Sequence, residues 1–233
     1  MTDDPLLTRA RRLWCLLAGS PVVFGGTGID MAVAPRSALC PPGWVGVVAL
    51  GEVAIATVPD TPTMRTLACL PRESWLSAGA VLAGLPVVEE VGPARLSYLA
   101  PESFRPAAAG CDAVAADDPG VKALLASVPA TDESGLAEIT SPAFVVREEA
   151  RVVAAAGYRR WPGGTAHLSV LTDPAERGRG LGRCVASAAV SDALAEGLLP
   201  QWRAREEASC RVAAALGFRD LGWHLSLRLA EES

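Results

Sequence analysis

An α+β fold in two parts is what this sequence predicts, and three observations lead there. Half of the 233 residues are hydrophobic and 20% are charged, which supplies a packed core and excludes a disordered, coiled-coil or collagen-like chain. A zone rich in Pro, Gly, Ala and Asp lies near residues 100–118, with Ala100-Pro101-Glu102, Pro106 to Gly110 and Asp117-Asp118-Pro119-Gly120. Its turn signals place a boundary between an N-terminal subdomain, 1–105, and a C-terminal domain, 106–233. On both sides of it, segments of helical period are interleaved with segments of strand composition.

In the N-terminal part, Arg9, Arg11 and Arg12 precede Leu13 to Ala18, read as a short amphipathic helix. That apolar run is too short for a signal peptide or a membrane span, and no stretch approaches the length that crosses a bilayer, so a soluble, cytoplasmic protein is expected. Trp44 to Leu50 and Val53 to Val58 read as a hairpin around Gly51-Glu52. Pro62 to Leu70 and Ser74 to Ala83 read as helices, the second ending at Gly84. Gly25-Gly26-Thr27-Gly28 lacks the Lys-Ser/Thr of a phosphate loop and is taken as a turn.

The C-terminal part is more legible. Val121 to Ser127 reads as a helix entered through Asp117-Asp118-Pro119, and Glu133 to Ile139 as a second short helix. Ala143 to Arg147 and Arg151 to Tyr158 form a hairpin, and Pro162-Gly163-Gly164 turns the chain into a third strand, Ala166 to Thr172. A long helix follows from Gly180 to Glu196, then a strand (Leu198 to Arg205), a helix (Glu206 to Leu216) and a last strand (Phe218 to Leu229).

Between the third strand and the long helix lies Asp173-Pro174-Ala175-Glu176-Arg177-Gly178-Arg179-Gly180-Leu181-Gly182-Arg183. Glycines at 178, 180 and 182 let backbone N–H groups converge without obstruction. The following helix aims its dipole and free N–H groups at the same spot, and three arginines add charge. Such a turn suits a pyrophosphate, although its glycines do not follow the G-x-G-x-x-G spacing of a dinucleotide loop.

Arg177-x-x-Gly180-x-Gly182 after Val170-Leu171-Thr172, together with Ser209 to Leu216 and the closing Leu216-Gly217-Phe218, resembles the GNAT superfamily of N-acetyltransferases over about residues 107–233. The resemblance implies a mixed, mostly antiparallel sheet flanked by helices, with Val170, Leu171 and Thr172 splaying from the strand Leu198 to Arg205. In it the free backbone of Val170 to Thr172 would bond the pantetheine arm of acetyl-CoA and polarise its thioester. Arg177, Gly178, Arg179, Gly180, Leu181, Gly182 and Arg183 would hold the pyrophosphate. The implied reaction moves an acetyl group directly from acetyl-CoA to a primary amine, without a covalent enzyme intermediate.

Two positions depart from the family pattern. A Tyr that protonates the leaving thiolate is often found where this chain has Ala213, and a cofactor-holding Asn where it has Glu206. Ser209 is the substitute acid, with helix capping as its other reading. A base is needed because an amine of pKa near 10.4 is protonated at pH 7. Glu133 and Glu138 on the expected second helix carry that role or are solvated carboxylates. His167 relays a proton or packs at the strand edge, His224 reads as structural, and Tyr158 and Trp161 wall the acceptor site or belong to the core.

The formal charge of −5 argues against a nucleic-acid partner and is compatible with a small-molecule or peptide amine. Six scattered cysteines without a CxxC pair, and only two histidines, fit no zinc spacing and no disulfide framework, so no metal is expected. No membrane partner is expected; a homodimer is the assembly to test. The rival readings are a non-catalytic acyl-CoA sensor and a nucleotide binder without CoA.

Overall fold

The computed structural model describes residues 4–26, 28–107, 110–129 and 134–230. The chain forms two compact units, one running through Leu96 and resuming at Asp220, the other spanning Ser97–Arg219.

In the first unit, α1 (Pro5–Ala18) starts where the Asp4 carboxylate accepts from the N–H groups of Leu6 and Leu7, and stops at left-handed Gly19. The cap draws the helix four residues upstream of the basic cluster, and Ala10, Leu13, Trp14 and Ala18 form its buried stripe. β1 (Gly28–Val33) pairs in parallel with β3 (Val53–Val58), which forms the expected hairpin with β2 (Val45–Leu50). Every residue of β2 and β3 is buried. α2 (Thr61–Ala68) is capped by Asp60. The helix expected from Ser74 is instead a 3-10 turn, Arg72–Leu76, followed by α3 (Ala78–Gly84). Ser77 accepts from the N–H of Ala80 there, which sets a new helix start.

β4 (Val87–Tyr98) is the longest strand of the chain, and with β10 (Arg219–Leu229) it completes the strand order β1-β3-β2-β10-β4. Val47, Ala56, Leu67, Trp75, Val81 and Leu225 are among the buried residues of this unit's core.

The second unit has the strand order β9-β8-β7-β6-β5. β5 (Asp112–Val114) edges β6 (Ala143–Glu148). β6, β7 (Arg151–Trp161) and β8 (Thr165–Thr172) form an antiparallel meander. β9 (Leu199–Ala204) lies parallel to β8 because α5 (Leu181–Ala195) carries the chain across. α4 (Pro119–Ala126) has Pro in its first turn and the Asp118 carboxylate capping Gly120 and Val121. The second short helix is reduced to a 3-10 turn, Leu136–Glu138, after left-handed Gly135; Glu133 lies outside the described residues.

Alternation along the strands separates two cores. Ala156 and Tyr158 of β7, Leu168 of β8 and Trp202 of β9 face α5 and α6 (Glu207–Ala215), where Ala186, Ala189, Val190 and Ala193 permit close approach. Ala155 and Leu171 face the other way, onto Val121, Leu124, Leu136 and Ile139. After α6 the Leu216-Gly217-Phe218 motif has a steric origin. Gly217 has φ +96°, and a Cβ there would lie 2.0 Å from the carbonyl oxygen of Ser103. Among the described residues no helix is long and apolar enough to cross a membrane.

Candidate active site

The β8–β9 ladder consists of three rungs, Thr165–Leu199, Ala166–Pro200 and His167–Gln201. Beyond them β8 stays paired with β7 up to Thr172, while β9 continues unpaired from β8 to Ala204. Parallel strands thus diverge at a fork, leaving backbone groups of Leu168 to Thr172 unpaired on the β9 side. The expected splay of Val170, Leu171 and Thr172 from the 198–205 strand is present. Val170 and Thr172 share the α5 side of β8, whereas Leu171 is buried in the opposite core.

The Gly/Arg turn closes the wide end of the fork. A 3-10 turn, Pro174–Glu176, is capped by Asp173, which accepts from the N–H of Ala175 and from Arg151 at 2.5 Å. Gly178 and Gly180 have φ of +81° and +80°, and nothing lies within 4 Å of where a Cβ would project. At Gly182 a Cβ would sit 3.1 Å from Thr172 Oγ1, so this glycine lets the helix start against β8. Gly180 is the N-cap of α5 and supplies no side-chain hydrogen bond, leaving the first helical N–H groups to a ligand or solvent.

The three arginines behave differently. Arg183 Nε is buried without a partner, an unusual state for a charged donor. Arg177 Nε donates to the carbonyl of Thr172 at 3.4 Å. Arg179 is held by Glu176 and by Glu148, the latter at 2.5 Å. An open, glycine-lined turn, an uncapped helix N-terminus and an orphaned arginine donor fit a pyrophosphate-sized anion.

The candidate catalytic residues are not gathered at one point. His167 ends the part of β8 that is paired with β9. Its ring stacks on Trp161 with centroids 4.0 Å apart and planes 12° apart, and its Nδ1 bonds Gln201 Oε1. Burial, then the positive charge of Arg203, hold its pKa down to about 4. Glu138 is exposed and ion-paired with Arg159, the β7 residue directly across from His167. Ser209 lies on α6, on the opposite face of the sheet. It does not cap that helix, whose N-cap is Glu206; its Oγ accepts from Trp202 Nε1 at 2.9 Å.

Tyr158 turns away from the His167 face. It is fully buried, its hydroxyl donates to Asp192 of α5 at 2.7 Å, and burial with that bond pushes its pKa up to about 12. His224 is buried beside Trp14 and bonds the Leu39 carbonyl. Cys184 Sγ lies 2.9 Å from Cys111 Sγ; burial and the neighbouring thiol push Cys111 up to about 12 and away from nucleophilic chemistry. Among the described residues no three His, Cys, Asp or Glu side chains are placed to hold a metal.

Sequence reasoning missed Gln201. Its signal was a lone polar residue inside Leu199-Pro200-Gln201-Trp202, and it is fully buried. Its Nε2 and Thr165 Oγ1 are both buried without partners, on the His167 face.

A sequence model described as GNAT acetyltransferase matches residues 140–222, from just before β6 to the start of β10. Within the C-terminal half, residues 140–222 thus match the GNAT acetyltransferase family model. The GNAT segment contains the fork, the Gly/Arg turn, His167, Gln201 and Ser209. Solved structures agree on the fold. A GNAT-family protein from Novosphingobium aromaticivorans aligns with a TM-score of 0.51 and 23% identity, over 63% of this chain and 67% of its own. A GCN5-related N-acetyltransferase-like protein from Streptococcus suis aligns with a TM-score of 0.50 and 16% identity, over 96% of this chain and 100% of its own. At these identities the likeness concerns fold alone. No curated protein matches the sequence.

Proposed function

We propose that the GNAT unit transfers an acetyl group from acetyl-CoA directly to a primary amine. The observation that carries this reading is the fork between β8 and β9 opening onto the Gly178–Arg183 turn. The turn offers uncapped N–H groups and the Arg183 donor to the pyrophosphate, and the unpaired stretch of β8 offers backbone donors to the pantetheine and thioester. Preorganised donors of this kind contribute a few kcal/mol each when they meet a developing oxyanion.

On the acceptor side, His167 stands at the apex of the fork with Trp161 stacked on it. Its neutral ring is the proton acceptor, and Glu138 is a carboxylate at the rim, held by Arg159. Ala213, where the resemblance implies a Tyr acid, is buried in the core, and Ser209 already accepts from Trp202. The leaving thiolate, with a pKa of about 8.5 or below, departs to a proton from solvent or from Ser209.

That missing acid also favours the second reading, an acyl-CoA sensor that binds without turnover. Thiol release from acetyl-CoA with a panel of amines separates the two. Acetylation of any amine at a rate above the background supports the transferase. Saturable acetyl-CoA binding without release across the panel supports the sensor.

A further inference from the structure

We propose that Gln201 is a positioning residue of this site: its amide oxygen holds His167 as the Nδ1–H tautomer and leaves Nε2 as the nitrogen that takes the proton. Only the last clause rests on the transferase reading. Gln201 forms the final rung of the β8–β9 ladder opposite His167 and is fully buried. A carboxamide inside an apolar strand costs free energy unless it is bonded, and its Oε1 meets His167 Nδ1. An amide oxygen only accepts, so the hydrogen sits on Nδ1 and the lone pair on Nε2.

The surroundings remove the other freedoms of the ring. Trp161, stacked at 4.0 Å, blocks rotation about the strand. Arg203 of β9 and Arg159 of β7 both disfavour a charged ring. Glu138, from the turn before β6, engages Arg159. With charge and rotation set, the tautomer decides which nitrogen is basic. In the reaction one ammonium proton passes to Nε2, the amine lone pair forms the C–N bond, the C–S bond breaks, and the second N–H proton leaves the nitrogen through solvent to the departing CoA thiolate. An imidazole so hard to charge then releases the proton to water.

The chain has two histidines, so long-range 15N–1H imidazole spectra of the full-length protein resolve both. At pH 7 His167 is expected as Nδ1–H. His224, whose Nε2 faces the Leu39 carbonyl at 2.6 Å, is expected as Nε2–H. Gln201→Glu retains an acceptor, so it keeps the His167 tautomer and raises its pKa. Gln201→Leu removes the acceptor, abolishes the Nδ1–H preference, and slows acetyl transfer by about tenfold or more, with the KM for acetyl-CoA little changed. An Nε2–H His167 in the wild type, or an unchanged spectrum or rate in Gln201→Leu, overturns the proposal. If the wild type acetylates no amine, the transferase reading fails and the spectra alone decide the Gln201 assignment.

Discussion

Burial and two arginines acting on His167 have a consequence for stability as well as for chemistry. A histidine with an ordinary pKa of 6.5 in the unfolded chain and about 4 in the folded protein takes up its proton more readily when unfolded. Between those values the unfolded state binds more protons, so stability is full above about pH 6.5 and falls as pH drops toward 4. Each unit of depression is worth about 1.4 kcal/mol. Replacing His167 with Gln should therefore flatten the loss of stability between pH 6.5 and 4.5, measured by urea unfolding at several pH values. Parallel curves for wild type and variant would place His167 in water-like surroundings instead. At the same scale, Arg179 carries charge that the sequence suggests is free, yet Glu148 and Glu176 hold it. Glu148 comes from the β6–β7 corner, about thirty residues upstream, and no local pattern announces that pairing.

Among the elements, α5 is held to the sheet by small residues and by polar ties, the most buried being the Tyr158 hydroxyl on Asp192 at 2.7 Å. Tyr158→Phe should cost about 1–2 kcal/mol, lowering the thermal midpoint by roughly 3–6 °C for a chain of this size, while leaving the KM for acetyl-CoA unchanged. A large rise in that KM would place Tyr158 at the acceptor or cofactor site after all. The hairpins, α4, α5, β9 and α6 were legible because caps, glycines and two-residue alternation agreed there. β1 and β4 were not. Asp30 interrupts the apolar pattern of β1, and Glu89, Glu90 and Gly92-Pro93 interrupt that of β4; both strands are specified by their partners in the sheet. The turn at Leu136–Glu138 read as a helix because its composition is helical, but left-handed Gly135 leaves room for only one turn. The Gly/Arg segment was legible as an open turn between strand and helix, since its glycines and arginines lie in consecutive positions. The His167–Gln201 pair was not, because parallel pairing across a helix joins residues 34 apart.

At the scale of the whole molecule, the net charge of −5 describes the average surface and conceals a local cluster of positive charge. Three arginines fall within residues 177–183, and Arg183 there has a buried, unpartnered donor. The fold alone does not name the amine; on the proposed reading the acceptor is selected at the His167 face. On the proposed reading the Gly178–Arg183 turn and the fork beside it bind acetyl-CoA. Titration calorimetry with acetyl-CoA on the wild type and on Gly180→Asp tests it most directly. Asp tolerates the left-handed backbone of Gly180 at a cost of about 1–3 kcal/mol and sets a carboxylate where the phosphates would lie. Saturable binding by the wild type, accompanied by a rise in its thermal midpoint, and no binding by a folded Gly180→Asp is the predicted result. No binding by the wild type at millimolar acetyl-CoA, or equal binding by the variant, would contradict it.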